Sequence, residues 1–264
     1  MKFKTFLKRI IQSFFYIMRD IFLVFSELEE VSILTYHSIS ESDTSDETAV
    51  SPDVLDGQIN FLKQRGYYFA TLAEIVSYIK NEKPLPLKTV AFTIDDGYSD
   101  SYKNAFPVLK KYKIPATIFI VSDFEKMKNQ TGATLLPLSE SEKNEMRMSG
   151  LVDFQCHSKS HAMLDIVNNN ELKGEVIRGT YTYFAYPGGH HNELVRDAVK
   201  QARYTAAFSI KPGLVKRGDD LFVVRRNVIL GSMDLFDFKV RTTKAIEWYT
   251  WLAFFLKRLS RLIG

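Results

Sequence analysis

VAFTIDDGYSD, residues 90–100, ends an apolar, β-branched run on two adjacent carboxylates, Asp95 and Asp96, and follows them at once with Gly97. The run reads as a buried strand, whose successive side chains point to opposite faces. Both acids can reach one site only if the chain bends there, which Gly97 permits. Two like charges side by side repel, so the pair asks for a cation between or beside it. Without one, Asp-Gly is a common turn dipeptide with solvated acids.

Further β-type runs lie near 31–37, 116–121, 151–157, 181–187, 206–210 and 222–230, with helical patterns near 52–65, 72–80, 99–112, 139–148 and 191–202. Strand and helix alternating in this way predict a mostly parallel sheet, open or closed into a barrel. The stretches 38–48, 81–88 and 122–138 read as loops. No repeat or low-complexity linker divides the body, and 264 residues with 45% hydrophobic and 25% charged side chains fit one large α/β domain. The chemistry-bearing residues cluster at the C-terminal ends of strands: Asp95 and Asp96 at one, His157 at another, Tyr186-Pro187-Gly188-Gly189 at a third. In parallel sheets and barrels, that edge is where loops assemble a site.

CHSKSH places His157 and His161 four residues apart just past a strand. If the segment turns helically, both imidazoles face one side and can share a cation; an Asp from another strand would complete a two-His, one-carboxylate set. Outside such a set, histidines at this spacing are surface or cap residues. One Asp would then bind the metal while its neighbour stays free to accept a proton. Cys156, the single cysteine, excludes an internal disulfide and favours a reducing compartment. Strand alternation points it away from His157, as a buried thiol rather than a fourth ligand.

FTIDDGYSD resembles the first signature of the NodB-type polysaccharide deacetylases, carbohydrate esterase family four. HSKSH resembles the second signature and YFAYPGG the third; LTYHSIS, NAFPVLKKYKIPATIFIV and SGLVDFQCHS agree in the flanks, over residues 31–240. The resemblance implies a distorted (β/α) barrel and metal-dependent removal of N-acetyl, sometimes O-acetyl, groups from a sugar. Carried over by motif, Asp95 would be the general base, and Asp96, His157 and His161 would hold a divalent ion, zinc foremost. The metal would polarise the amide carbonyl and lower the pKa of water. The backbone N–H of Gly188, where many members carry an aromatic residue, would help hold the oxyanion. Arg225 resembles the later arginine that orients the base, with adjacent Arg226 as the alternative. The family's late histidine, which protonates the leaving amine, has no counterpart, because no histidine follows His191. His37, at the end of the first strand, is the imidazole taken as a catalytic candidate, with His190 and His191 also available. The short interval from His161 to Tyr186 leaves room for an abbreviated helix.

Charge is concentrated at the ends. Residues 1–19 and 239–264 each carry a net +5 against a whole-chain +4, so the body is negative, at −6. Nucleic acid is therefore a poor partner. Apolar positions such as Phe3, Phe6, Leu7, Ile10, Phe14 and Ile17 fall on one helical face, with Lys4, Lys8 and Arg9 mostly on the other. The run is too short and too interrupted to span a bilayer and lacks a cleavage site, so a helix in the membrane interface is expected. AIEWYTWLAFFLKRLSRLIG, residues 245–264, combines Trp248, Trp251 and other aromatics with Lys257, Arg258 and Arg261. The bland alternative is that both helices cap the core. The layout read from sequence is an amphipathic helix over 1–30, a deacetylase domain over 31–240 and a second amphipathic helix over 241–264. The expected enzyme sits peripherally on the cytoplasmic face of the membrane. There it deacetylates a polyprenyl-phosphate-linked N-acetylhexosamine in envelope glycan or lipopolysaccharide assembly. The competing expectations are an exported deacetylase of peptidoglycan or poly-N-acetylglucosamine, and a glycan- or lipid-binding protein weakened by the missing acid.

Overall fold

The computed structural model describes residues 9–11, 13–14, 16–17, 29–41, 46–131 and 134–252. Its framework is a parallel sheet of β1 (Glu30–Tyr36), β2 (Tyr68–Phe69), β3 (Lys88–Ile94), β4 (Ala116–Ile120), β5 (Val152–Cys156), β6 (Tyr183–Ala185), β7 (Ala206–Phe208) and β8 (Asn227–Val228). The order is β7-β6-β5-β4-β3-β1-β8, with β2 also on β3. β2 pairs with Thr89 and Val90 of β3, whereas β4 starts at Phe92, so the two share one edge of the same strand.

The ring closes through the last segment rather than through a long strand. Val224 bridges to Phe208 of β7, and Asn227 pairs with Leu34 of β1, so residues 224–228 span the gap between the outer strands. This is the distorted barrel expected from the sequence, with its eighth strand reduced to two residues.

Pleat parity assigns the two faces. Leu34, Tyr36, Val90, Phe92, Ile94, Ile118 and Phe154 face outward and pack with Leu55, Ile59 and Leu62 of the helix Pro52–Gln64 and with Phe106 and Leu109. The opposite parity, Val31, Ile33, Ala91, Phe119 and Phe208, forms a second cluster with Ile75 and Val76 of the helix Leu72–Ile79. Each such side chain, fully buried, contributes roughly 1.5–3 kcal/mol. Continuing the second parity by one step past the strands leads to His37, Asp95 and His157, on three neighbouring elements.

The helices start where their capping residues are. Ser51 accepts from the Val54 N–H ahead of Pro52; Thr71, Ser139 and Asn168 form capping boxes with Glu74, Glu142 and Glu171. The expected helix at 99–112 is split into a π turn, Ser101–Ala105, and an α-helix, Phe106–Tyr112. The expected loop at 122–138 contains the helix Phe124–Thr131, and the abbreviated helix before Tyr186 is Asn169–Glu175. Helical residues are present at 9–11, 13, 14, 16 and 17 and at 245–252; the rest of the two expected terminal helices lies outside the described residues. No helix among the described residues is long and apolar enough to cross a membrane.

The loop after β1 is clamped at Gly231, whose N–H donates to the Glu47 carbonyl at 2.9 Å. A Cβ at 231 would sit 1.9 Å from the Ala49 carbonyl oxygen, a backbone atom that cannot step aside. Gly231→Ala is expected to destabilise the protein by roughly 2–3 kcal/mol in urea unfolding. Gly57→Ala, in a helix with nothing within 4 Å of the new methyl group, should stabilise it by about 0.5–1 kcal/mol. Equal stability of the two variants would contradict this account of the clamp.

Candidate active site

The opening carboxylates diverge in backbone before they diverge in chemistry. Asp95 continues β3, its N–H donating to the Tyr36 carbonyl at 2.9 Å. Asp96 takes φ +74° and Gly97 φ +77°. The bend is thus made at Asp96 itself, a residue type that tolerates the left-handed region, and Gly97 carries it further. Gly97 is also forced by space, since a Cβ there would lie 2.8 Å from the Ile120 Cγ2. Both acids, now buried, look into the same end of the barrel.

Asp95 is held by an arginine that is fully buried. Arg226 donates Nη1–H to Asp95 Oδ1 at 2.7 Å and Nη2–H to Oδ2 at 2.8 Å, Nε–H to the Ser209 carbonyl at 3.0 Å, and Nη1–H to Thr93 Oγ1 at 3.3 Å. Its guanidinium also lies 5.2 Å from the centre of the Phe119 ring. Burial alone would raise the Asp95 carboxyl, but Arg226, helped by His157 and His37, holds it at about 2. The sequence expectation of Arg225 is corrected here. On the extended segment just before β8, Arg226 is fully buried whereas Arg225 points outward to Glu247, with Nη1 4.0 Å from its carboxylate.

Asp96 has no such partner. Burial and the neighbouring Asp95 push its carboxyl up to about 6, with His37 and the Tyr98 hydroxyl acting against them, and its Oδ1 is buried without a hydrogen bond. That same oxygen is 3.5 Å from His157 Nε2 and 3.4 Å from His161 Nε2. His157 places Nδ1 2.9 Å from the Ala185 carbonyl, which can only accept, so Nδ1 carries the proton and Nε2 presents a lone pair. Burial keeps this ring neutral, lowering its pKa to about 3, and lowers that of His161 as well. Lone pairs and a carboxylate oxygen therefore converge, with the ligand atoms of Asp96, His157 and His161 within 4.8 Å of one another. Such a group of acceptors fits a divalent cation.

The two histidines do not meet on a helix. HSKSH is a turn in which Ser158 (φ +65°) and His161 (φ +59°) both take left-handed backbone, bringing the imidazole centres to 5.0 Å. Neighbouring loops strap it in place: Ser122 and Asp123 N–H groups donate to the Ser158 and Lys159 carbonyls, and the Lys159 N–H donates to the Glu175 carbonyl. The buried Glu175 carboxylate accepts from Ser160 N–H at 2.8 Å and Ser160 Oγ–H at 2.6 Å, with Lys126 Nζ at 3.4 Å. Sequence reasoning missed Glu175; only its place at the end of the short helix before Tyr186 hinted at it. It also missed Asp100, three residues beyond Gly97, which accepts from Ser38 Oγ–H at 2.6 Å and Ile39 N–H at 3.0 Å and so fixes the loop after His37.

His37 ends β1 near both carboxylates, lowering the pKa of each, and its Nδ1 is buried without a hydrogen-bond partner. Gly188 sits in a tight turn at φ +57° after β6. The space a side chain there would need is filled by His190, whose Cδ2 would be 2.8 Å from the Cβ. His190 Nδ1 lies 3.2 Å from Asp165 Oδ2, and His191 stacks on Tyr186 with ring centres 4.9 Å apart. An apolar pocket of about 430 Å³, lined in part by His161, Met163, Ile166, Gly188 and His190, opens beside the acceptor set. Cys156 faces away, its thiol donating to the Ile177 carbonyl in the outer cluster with Leu164 and Phe184.

Comparison with known proteins bears on this geometry. The family description Polysaccharide deacetylase matches residues 82–207, a span that includes both aspartates, both histidines and the Y-P-G-G turn. A poly-beta-1,6-N-acetyl-D-glucosamine N-deacetylase of Staphylococcus aureus is 30% identical over 213 residues, covering 73% of this chain and 71% of that protein. The chain belongs to the polysaccharide deacetylase family. It is therefore a hydrolase of carbohydrate esterase family four, whose members depend on a divalent metal. The structure of BC0361, a polysaccharide deacetylase from Bacillus cereus, aligns with a TM-score of 0.64 at 28% identity, over 81% of this chain and 69% of that one. The Streptococcus pyogenes deacetylase PplD, solved with acetate, aligns with a TM-score of 0.69 at 24% identity, over 80% and 97%, and shares the fold.

Two measurements test the site. Arg226→Lys, which keeps the charge but cannot make the paired contact, should lower turnover at least about 10-fold and move the acid limb of the rate profile to higher pH, because fewer charge-assisted hydrogen bonds then hold Asp95 ionised. Arg225→Lys should leave both unchanged, and the reverse ranking would restore the sequence-based assignment. Glu175→Gln is expected to weaken zinc binding about 10–100-fold in chelator competition, while the metal-free unfolding midpoint changes little. Unaltered zinc affinity would mean that the strap on Ser160 is incidental.

Proposed function

We propose that the protein removes the N-acetyl group from an N-acetylhexosamine presented at a membrane, as a polyprenyl-phosphate-linked sugar in envelope glycan or lipopolysaccharide assembly. The observation that carries the chemistry is the asymmetry of the carboxylates. Asp95 is held ionised by its paired arginine, with Oδ2 3.8 Å from His157 Nε2; Asp96 is buried with an Oδ1 that has no hydrogen bond and lies 3.5 and 3.4 Å from the Nε2 atoms of His157 and His161. Asp96 and the Nε2 atoms of His157 and His161 would hold the divalent ion, zinc by donor type. Such an ion makes water nucleophilic near neutral pH and polarises a carbonyl.

The chain's own groups supply the rest. Asp95 accepts the proton of the attacking water. The Gly188 N–H donates to the oxygen that becomes negative as the acetamide carbon turns tetrahedral. His37 gives a proton to the amine nitrogen as the C–N bond breaks, leaving acetate and a free amino sugar. Its support is position, at the end of β1 beside both aspartates, together with an Nδ1 that has no hydrogen-bond partner. The apolar pocket beside His161 leaves room for an uncharged part of the substrate.

Presentation at the cytoplasmic face is supported by the basic, aromatic-rich ends and the single buried cysteine. A polymeric, exported glycan is the second reading, favoured by the name of the Staphylococcus aureus relative. With the zinc-loaded full chain, acetate release is expected from polyprenyl-phosphate-linked N-acetylglucosamine at a higher kcat/KM than from poly-N-acetylglucosamine. Asp95→Asn should cut turnover about 10²–10⁴-fold with zinc retained. Zinc retention with undiminished turnover would sink Asp95 as the base. Preference for the polymer, together with protease accessibility from outside the membrane, would establish the second reading.

A further inference from the structure

Arg225 and Arg226 are neighbours that look in opposite directions, and the outward arginine opens onto a site of its own. Gly213, at φ +141°, lies under Arg225; a Cβ there would be 2.8 Å from the guanidinium Nη1, so the absence of a side chain lets Arg225 lie flat across the loop. Arg225, Lys211 and Lys216 line an open pocket of about 360 Å³ on the outer wall, together with Trp251 and Glu247. Lys216 Nζ is 2.9 Å from Glu247 Oε1, and Arg225 reaches that oxygen only at 4.0 Å. Three cations against one carboxylate leave the pocket clearly positive. Trp251 stands at its rim with 64% of its surface exposed.

The pocket does not stand alone on that flank. Helix 245–252, which carries Trp251, seats Ala245 and Ile246 on a small cluster with Leu214 and Val240, with Phe236 packed against it. The N-terminal helical residues reach the same place: Tyr16 meets Phe236 with ring centres 5.8 Å apart, and Arg9 contacts Asp234. Ile10, Phe14 and Ile17, spaced for one helical face, are 50%, 57% and 60% exposed. Exposed apolar side chains, a tryptophan and a positive pocket therefore share one side of the barrel. A protein partner would match the apolar stripe alone; a bilayer with anionic headgroups matches both the stripe and the pocket.

We propose that the pocket of Lys211, Lys216 and Arg225 seats the phosphate of an anionic phospholipid headgroup, with Trp251 and the Ile10–Phe14–Ile17 stripe entering the interface beside it. This rests on the membrane reading above and gives it a place on the molecule. Successive residues of one segment would then serve two sites: Arg226 the reacting centre inside the barrel, and Arg225 the lipid outside it. The catalytic edge is thereby held at a fixed orientation to the membrane, with the sugar delivered from the same surface.

The test is co-sedimentation of the full chain with phosphatidylglycerol–phosphatidylcholine vesicles and with pure phosphatidylcholine vesicles. Binding is expected to the anionic vesicles, and Lys211→Gln/Arg225→Gln should weaken it about 30-fold, at about 1 kcal/mol for each charge lost near the surface. Lys128→Gln/Lys173→Gln removes the same charge from two other helices and should change binding less than about 3-fold. Acetate release from a soluble substrate should be the same in all three proteins, which also reports their folding. Full binding by the Lys211/Arg225 variant, or equal loss in both double variants, would overturn the pocket while leaving the membrane reading intact. Absence of wild-type binding to anionic vesicles would overturn both. Displacement from vesicles by millimolar inorganic phosphate would show a soluble phosphate site and overturn the lipid assignment.

Discussion

The contact between Arg226 and Asp95 is the one on which both the barrel and its chemistry depend. A guanidinium and a carboxylate taken out of water each carry a desolvation penalty of several kcal/mol, tolerable only when geometry and hydrogen bonding are nearly complete. Here they are: two parallel bonds to Asp95, one to the Ser209 carbonyl after β7 and one to Thr93 of β3. The pair therefore joins the end of β3, the exit of β7 and the closing segment. It does so where strand pairing is sparse, since among the described residues that segment makes one bridge to β7 and two paired positions on β1. Closure of the ring and ionisation of the base are one event.

Once Asp95 has its own counter-charge, Asp96 is left to a different solution. Its backbone turns out of the strand, and its Oδ1, buried without a hydrogen bond, lies 3.5 Å from His157 Nε2 and 3.4 Å from His161 Nε2. Adjacent acids repel in a low-dielectric interior unless each is compensated separately, one by an arginine and the other by a cation. The loops around them bear the strain of this arrangement. Left-handed residues at Asp96, Ser158 and His161 are uphill for non-glycine side chains and persist because surrounding contacts over-determine them: Tyr98, the Ser158 hydroxyl on the His161 N–H, and Glu175 on Ser160.

Much of the fold was legible in the sequence because its signals are local. Apolar runs marked seven of the eight strands, and the helical patterns near 72–80 and 139–148 fell within a residue of the helices Leu72–Ile79 and Glu140–Met148. Short elements without a periodic pattern were not legible. β2 has only two residues, and the helix Phe124–Thr131 is largely polar with Met127 as its buried side chain, so neither announces itself. The placing of both histidines on one helical face was an inference from spacing that the structure replaces with a strapped turn.

What the sequence determined by itself is the set of reactive side chains and the edge they occupy, because each ends an apolar run and the parity of a parallel strand carries it to the rim. What only the tertiary structure decided is which of two adjacent arginines faces inward. The stretch FVVRRNVIL, residues 222–230, has apolar residues at both parities, so no local pattern distinguishes its inner from its outer face. That distinction follows from register against β7 and β1, which is set by contacts far apart in the chain. The same is true of Glu175 on Ser160 and Gly231 on Ala49, where a carboxylate and a missing side chain acquire meaning only from what the folded chain brings against them.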